Sequence, residues 1–250
     1  MRRNLLLSIS ITLTSLLFLL VVQQAAFAGP PLICHPFEIG NARSLPWSGS
    51  QWRDVSKTYD SNRLVDDTLG LLTPETPVLV RMETLRRATV YAVWSMYDRE
   101  VGYTVKDPAV ANALLSRLKA RVPGPGVKSD NKATALALFD YGYLVASYKQ
   151  AGDGSRGVGL SSGADGYALI VKAIAAGGGD PEMEFAAALA SSDRPRGAQS
   201  ALQGAHLAHL RKAAAGAKDG SLLARNLLTH FSNRGKTIGE LRASVASAQN

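Results

Sequence analysis

Val78-Leu79-Val80-Arg81-Met82-Glu83-Thr84-Leu85-Arg86-Arg87-Ala88-Thr89-Val90-Tyr91-Ala92-Val93-Trp94-Ser95-Met96-Tyr97 is the stretch that decides the fold class. Val78, Leu79, Met82, Leu85, Thr89, Val93, Met96 and Tyr97 recur at steps of three and four, the stripe of a long amphipathic helix that ends near Gly102. Thr73-Pro74 and Thr76-Pro77 stand just before it, and each joins a capping hydroxyl to a proline suited to a first helical turn. Arg81, Glu83, Arg86, Arg87 and Tyr91 fall off the stripe, so this reading places them on the wet face of the helix.

The same period runs on both sides. Leu64, Val65, Leu69 and Leu72 predict a short helix upstream. Downstream, Asp107-Pro108 opens a helix whose Val110, Leu114, Leu115 and Leu118 face inward, and Pro123-Gly124-Pro125-Gly126 stops it. A helix follows over residues 131–150, then a glycine- and serine-rich loop over 152–163. Asp165 caps a short helix that Gly177-Gly178-Gly179 breaks, and Asp180-Pro181 caps the next. Further helices are expected over 197–215, 221–231 and 237–248, the last with a capping box of Thr237 and Glu240. No strand pattern emerges. The expected fold is all-α: stacked antiparallel helix pairs, as an α-α superhelix or a compact helical bundle.

Residues 29–61 differ from this domain of residues 62–250. They carry Pro30, Pro31, Pro36 and Pro46 together with Trp47 and Trp52, which predicts an extended N-terminal strap that sets its rings into grooves of the helical domain. Residues 1–28 read as a signal peptide. Arg2 and Arg3 supply the charge, residues 5–22 the apolar run, and Ala26-Phe27-Ala28 the small-residue exit. Cleavage there leaves no stable transmembrane span and implies an exported protein, periplasmic or extracellular. An uncleaved anchor is the alternative, and a lipid on Cys34 is disfavoured by Pro31-Leu32-Ile33 before it.

Loss of Arg2 and Arg3 lowers the formal net charge from +8 to +6. The excess is scattered, with none of the long basic runs of a nucleic-acid-binding tail, so no nucleic-acid partner is expected. Weak contact with an anionic surface remains open. Cys34 is the only cysteine, so an exported chain here must stand on its apolar core without an internal disulfide.

Phe185-Ala186-Ala187-Ala188-Leu189, followed by Asp193 and Pro195, resembles the second helix of a tetratricopeptide repeat, and Gly166-Tyr167-Ala168 is similar to part of its first. The resemblance covers residues 166–195, lacks the tryptophan-leucine-glycine opening and does not recur at a 34-residue period. It implies a helical-repeat scaffold that binds a protein or peptide.

Candidate chemistry is sparse. Cys34-His35 pairs a thiol with an imidazole, but neighbours in extended chain point to opposite sides. His206 and His209 share one helix face at a spacing that suits two metal ligands, without the intervening glutamate of a metalloprotease. The glycines of residues 152–159 lack the Gly-Lys-Ser/Thr ending of a phosphate loop. Asp66-Asp67 and Glu182/Glu184 read as polar helix faces or helix-start charges. The leading reading is an exported, non-enzymatic helical scaffold for a protein or peptide partner, with Tyr91, Trp94, Tyr141 and Tyr148 as anchors and no cofactor. The alternative is a metal- or redox-active secreted protein that uses Cys34, His35, His206 and His209.

Overall fold

The computed structural model describes residues 31–93, 107–124, 131–152, 163–192 and 199–248. The signal-peptide expectation for residues 1–28, Trp94 and most of the 152–163 loop lie outside them, whereas the long helix expected to end near Gly102 stops at Ala92, whose carbonyl accepts from the Asp107 N–H.

The described chain is all-α. After a 3-10 turn at Ser61–Arg63 come α1 (Leu64–Leu71), α2 (Val78–Ala92), α3 (Pro108–Arg121), α4 (Asn131–Gly152) and α5 (Gly166–Ala176). They are followed by α6 (Pro181–Ser191), α7 (Gln199–Gly216), α8 (Leu222–His230) and α9 (Ile238–Ser247). Three starts follow the expected capping chemistry. Asp107 accepts from the Val110 N–H, Asp165 from that of Ala168, and Asp180 from those of Glu182 and Met183. Thr237 Oγ1 likewise accepts from the Glu240 N–H, while Glu240 reaches past the cap to the Lys236 N–H. α5 ends at a glycine run in which Gly178 (φ +77°) and Gly179 (φ +87°) take left-handed backbone that other residues avoid.

α2 starts differently from expectation. Its N-cap is Pro77, with no side-chain cap from its own sequence. Thr76 Oγ1 donates instead to the Leu71 carbonyl at 2.7 Å and accepts from the Thr73 N–H at 3.2 Å, so both threonines serve the preceding turn. The α2 terminus is capped from across the fold: Glu182 Oε2, in the first turn of α6, accepts from the Leu79 N–H at 3.1 Å.

The helices pair antiparallel. Gly216 at the end of α7 faces Pro181 at the start of α6, where an added Cβ would meet the proline ring at 2.5 Å. In the α4–α5 pair, a Cβ on Gly166 would stand 2.5 Å from the Ala146 nitrogen and 2.6 Å from the Gly142 carbonyl oxygen. The two backbones therefore touch, and only glycine permits that approach. α4 also packs against α2, α3 and α6, and α2 against α1, α3 and α6, so α2 and α4 sit at the centre of a helical bundle. None of the described helices is long and apolar enough to cross a membrane.

The N-terminal strap lies on this bundle. Leu32, Ile33, Phe37 and Leu45 are all buried, and burying a large aliphatic or aromatic side chain is worth roughly 1.5–3 kcal/mol. Its β-type pairing, among the described residues, is one isolated antiparallel bridge between Trp47 and Val55.

Candidate functional site

The long helix α2 carries the first candidate site, and here the expectation of a wet face is overturned. Arg81, Glu83, Arg86 and Tyr91 are buried and Arg87 is half-buried. The strap covers Glu83, Arg86, Arg87 and Tyr91 and satisfies them, while Arg81 is covered and paired from α4. Glu83 accepts from Arg86 Nε at 2.7 Å, Arg86 Nη2 at 2.9 Å, Arg87 Nε at 2.6 Å and the Phe37 N–H at 3.0 Å. One carboxylate thus neutralises one of two guanidinium charges, and the Nη1 group of each arginine turns to the strap backbone. Arg86 Nη1 donates to the Ile33 and Trp52 carbonyls at 3.1 and 2.9 Å, and Arg87 Nη1 to that of Leu45 at 2.6 Å. Tyr91 Oη donates to the Pro46 carbonyl at 2.7 Å and accepts from the Ser56 N–H at 2.9 Å. Trp47 closes the face, its ring centroid 4.8 Å from the Arg86 guanidinium carbon and 5.5 Å from that of Arg87.

Other elements hold the strap's first half. Gln150 Oε1 at the end of α4 accepts from the Leu32 N–H, and Asn226 in α8 exchanges two hydrogen bonds with the backbone of Glu38. His230 stacks on Phe37 with centroids 4.8 Å apart. Its Nδ1–H donates to the Asn226 carbonyl, its Nε2 is buried with no hydrogen-bond partner among the described residues, and burial pushes its pKa down to about 4.

A second cluster lies between α5, α6 and α7. His209 Nδ1 hydrogen-bonds to Glu184 Oε2, His209 Nε2 meets the Tyr167 hydroxyl at 2.9 Å, and Lys212 Nζ lies 3.1 Å from Glu184 Oε1. Glu184, expected as a helix-start charge, is buried because α7 crosses over it. A third centre joins α2 to α4. Arg81 Nη1 donates to Asp140 Oδ2 at 2.6 Å, and its other donors hold the Thr73 and Thr76 carbonyls. Asp140 Oδ1 has no hydrogen-bond partner among the described residues, and burial outweighs Arg81 to lift the Asp140 pKa to about 6. Beside it opens a cavity of about 420 Å³ lined by Leu72, Pro74, Arg121, Lys132 and Leu136.

The expected site residues are dispersed. Tyr91, Tyr141 and Tyr148 are 2%, 5% and 4% exposed, so none of these rings stands on the surface as an anchor. Their apolar bodies are core; Tyr148 Oη reaches the Ala111 carbonyl. The proposed ligand set also separates. His209 belongs to Glu184 and Tyr167, His206 Nδ1 donates to the Ala188 carbonyl, and His35 packs edge-on against His230. Among the described residues no three His, Cys, Asp or Glu side chains converge as a metal site. Burial lowers the His35 and His206 pKa values and raises that of half-buried Cys34, so the thiol is held away from its thiolate form. The Glu83–Arg86–Arg87 and Glu184–His209–Tyr167 groups were missed in the sequence. Their one local signal is the i, i+3 and i, i+4 spacing of Glu83 from the two arginines.

No family model, curated protein or solved structure matches this chain.

Proposed function

We propose that this chain is an exported helical scaffold of the cell envelope that holds an extended protein or peptide segment along α2. One observation carries the reading. Side chains of α2 make six hydrogen bonds to backbone groups of an extended segment, at Ile33, Phe37, Leu45, Pro46, Trp52 and Ser56. Contacts to backbone rather than to side chains tolerate many sequences, which is what a peptide-holding groove requires. In this structure the chain's own strap fills the groove. The leader-like residues 1–28 support export, and the resemblance of residues 166–195 to a tetratricopeptide repeat supports a binding role.

The test keeps the chain whole through folding. A protease site placed in the exposed turn at Lys57–Thr58 is cut after purification, and a fluorescent peptide of residues 31–56 is added in excess. Exchange of the nicked strap for the labelled peptide, read by anisotropy with the helical circular dichroism unchanged, supports a groove that binds peptide reversibly. A nicked strap that never exchanges, or whose release unfolds the helices, makes it an integral part of the core and removes the reading.

A further inference from the structure

We propose that Tyr167 is the nucleophile of a carboxylate–imidazole–phenol relay that accepts an acyl group from a small activated ester, with His209 as base and Glu184 as the positioning residue. This proposal stands apart from the strap reading and rests on the α5–α6–α7 cluster.

The geometry is that of an activated hydroxyl. A carboxylate only accepts, so the His209 Nδ1 facing Glu184 carries a proton, and in the neutral tautomer Nε2 accepts the Tyr167 O–H at 2.9 Å. Glu184 is 2% exposed and is held by Lys212 on its second oxygen, so it fixes both the tautomer and the ring plane. His209 is 9% exposed, whereas Tyr167 is half-buried. Tyr167 is also the member of this group that lines a cavity of about 230 Å³, together with Lys149, Gln150, Asp165 and Gly166. The first turn of the 11-residue helix α5, capped by the Asp165 carboxylate, and the Lys149 side chain line the same cavity. Other described tyrosines are tied differently: Tyr91 and Tyr148 to backbone carbonyls and Tyr59 to the Asp67 carboxylate. Among the described tyrosines, Tyr167 has the imidazole.

In the step, Tyr167 Oη bonds to the ester carbonyl carbon, the bond from that carbon to the leaving oxygen breaks, and the leaving group departs with the electron pair. The phenol proton passes to His209 Nε2 and from there to the departing oxygen or to water.

The mature protein is mixed with 4-nitrophenyl acetate, nitrophenolate release is followed by absorbance, and acetylation is mapped by mass spectrometry. The half-buried Tyr59 is the internal comparator. Tyr167 is expected to be acetylated at least about 10-fold faster than Tyr59, a modest share of what a positioned base supplies. Tyr167→Phe should abolish the fast phase of release. His209→Gln and Glu184→Gln should slow Tyr167 while leaving the Tyr59 rate unchanged, and Glu184→Asp should recover part of the loss, which a purely structural clamp would not do. Tyr167 reacting no faster than Tyr59, a fast phase that survives Tyr167→Phe, or a Tyr167 rate indifferent to His209→Gln overturns the proposal. If either glutamine variant fails to fold, the wild-type comparison and Tyr167→Phe decide it.

Discussion

Glu83 accepts the backbone N–H of Phe37 at 3.0 Å while holding two guanidinium groups, so a single buried carboxylate ties the strap to the helix beneath it. Three cationic or polar neighbours then complete the grip on the strap through its carbonyls. The charge lies inside the protein because the strap and helix satisfy each other, and neither surface would stay dry alone.

Glu83→Gln should therefore be severe. It leaves Arg86 buried without its counter-charge, and Arg87 largely so, at a cost of about 3–5 kcal/mol. Urea denaturation should show the loss as a lowered midpoint. Adding Arg86→Met should return part of it, since the unpaired charge and not the missing oxygen is the main penalty. An equal or greater loss in the double variant would contradict this account.

Two buried groups predict opposing pH responses. The pKa of Asp140 rises from 3.8 to about 6 on folding, so its contribution is fully present below pH 3.8 and is lost as pH rises through 6. The pKa of His230 falls from 6.5 to about 4, so its contribution is present above pH 6.5 and is lost as pH falls through 4. Each shift corresponds to roughly 3 kcal/mol. Between pH 4 and 6 the two slopes oppose each other. Relative to wild type, Asp140→Asn should lose stability more steeply on acidification, and His230→Phe should gain it. Denaturant titrations across this range read the difference; parallel pH profiles for all three proteins would refute it.

The α4–α5 contact predicts a contrast between two glycines. Gly166→Ala drives a Cβ into the backbone of α4 at 2.5 Å, where nothing flexible can yield. A loss of about 1–3 kcal/mol or more is expected. Gly70, near the end of α1, has nothing within 4 Å of the added Cβ. Gly70→Ala should gain about 0.5–1 kcal/mol from helix propensity. Thermal melts of the two variants should shift in opposite directions.

Glu182 caps α2 from α6. Glu182→Ala should cost about 1 kcal/mol, the usual worth of a cap. Amide exchange should locate the effect at Leu79, across the fold from the substitution, and not within α6. Protection at Leu79 that is unchanged in Glu182→Ala would dismiss the cap.

The helices are legible in the sequence because their signals are local. The Asp107, Asp165, Asp180 and Thr237 caps act within three residues of themselves, and all four form. The glycine run after α5 is likewise a backbone requirement written at its own position. The strap was legible in outline from its prolines and tryptophans. Its buried Leu32, Ile33 and Leu45 fit a segment that plugs into the bundle.

Residue order alone thus determined which segments coil and how the helices begun by Asp107, Asp165, Asp180 and Thr237 are capped, since propensity, period and capping are properties of neighbours in the chain. Which polar face stayed wet was decided by tertiary structure. Arg81, Glu83 and Arg86 look like surface residues on a lone helix, and they are buried because residues 33–52 and Asp140 pack against them from 34 to 59 positions away. The Glu184–His209–Tyr167 cluster has the same origin, assembled from three helices whose members stand 25 and 42 residues apart. Burial and charge pairing depend on distance in space, and no pattern within a single helix encodes that distance.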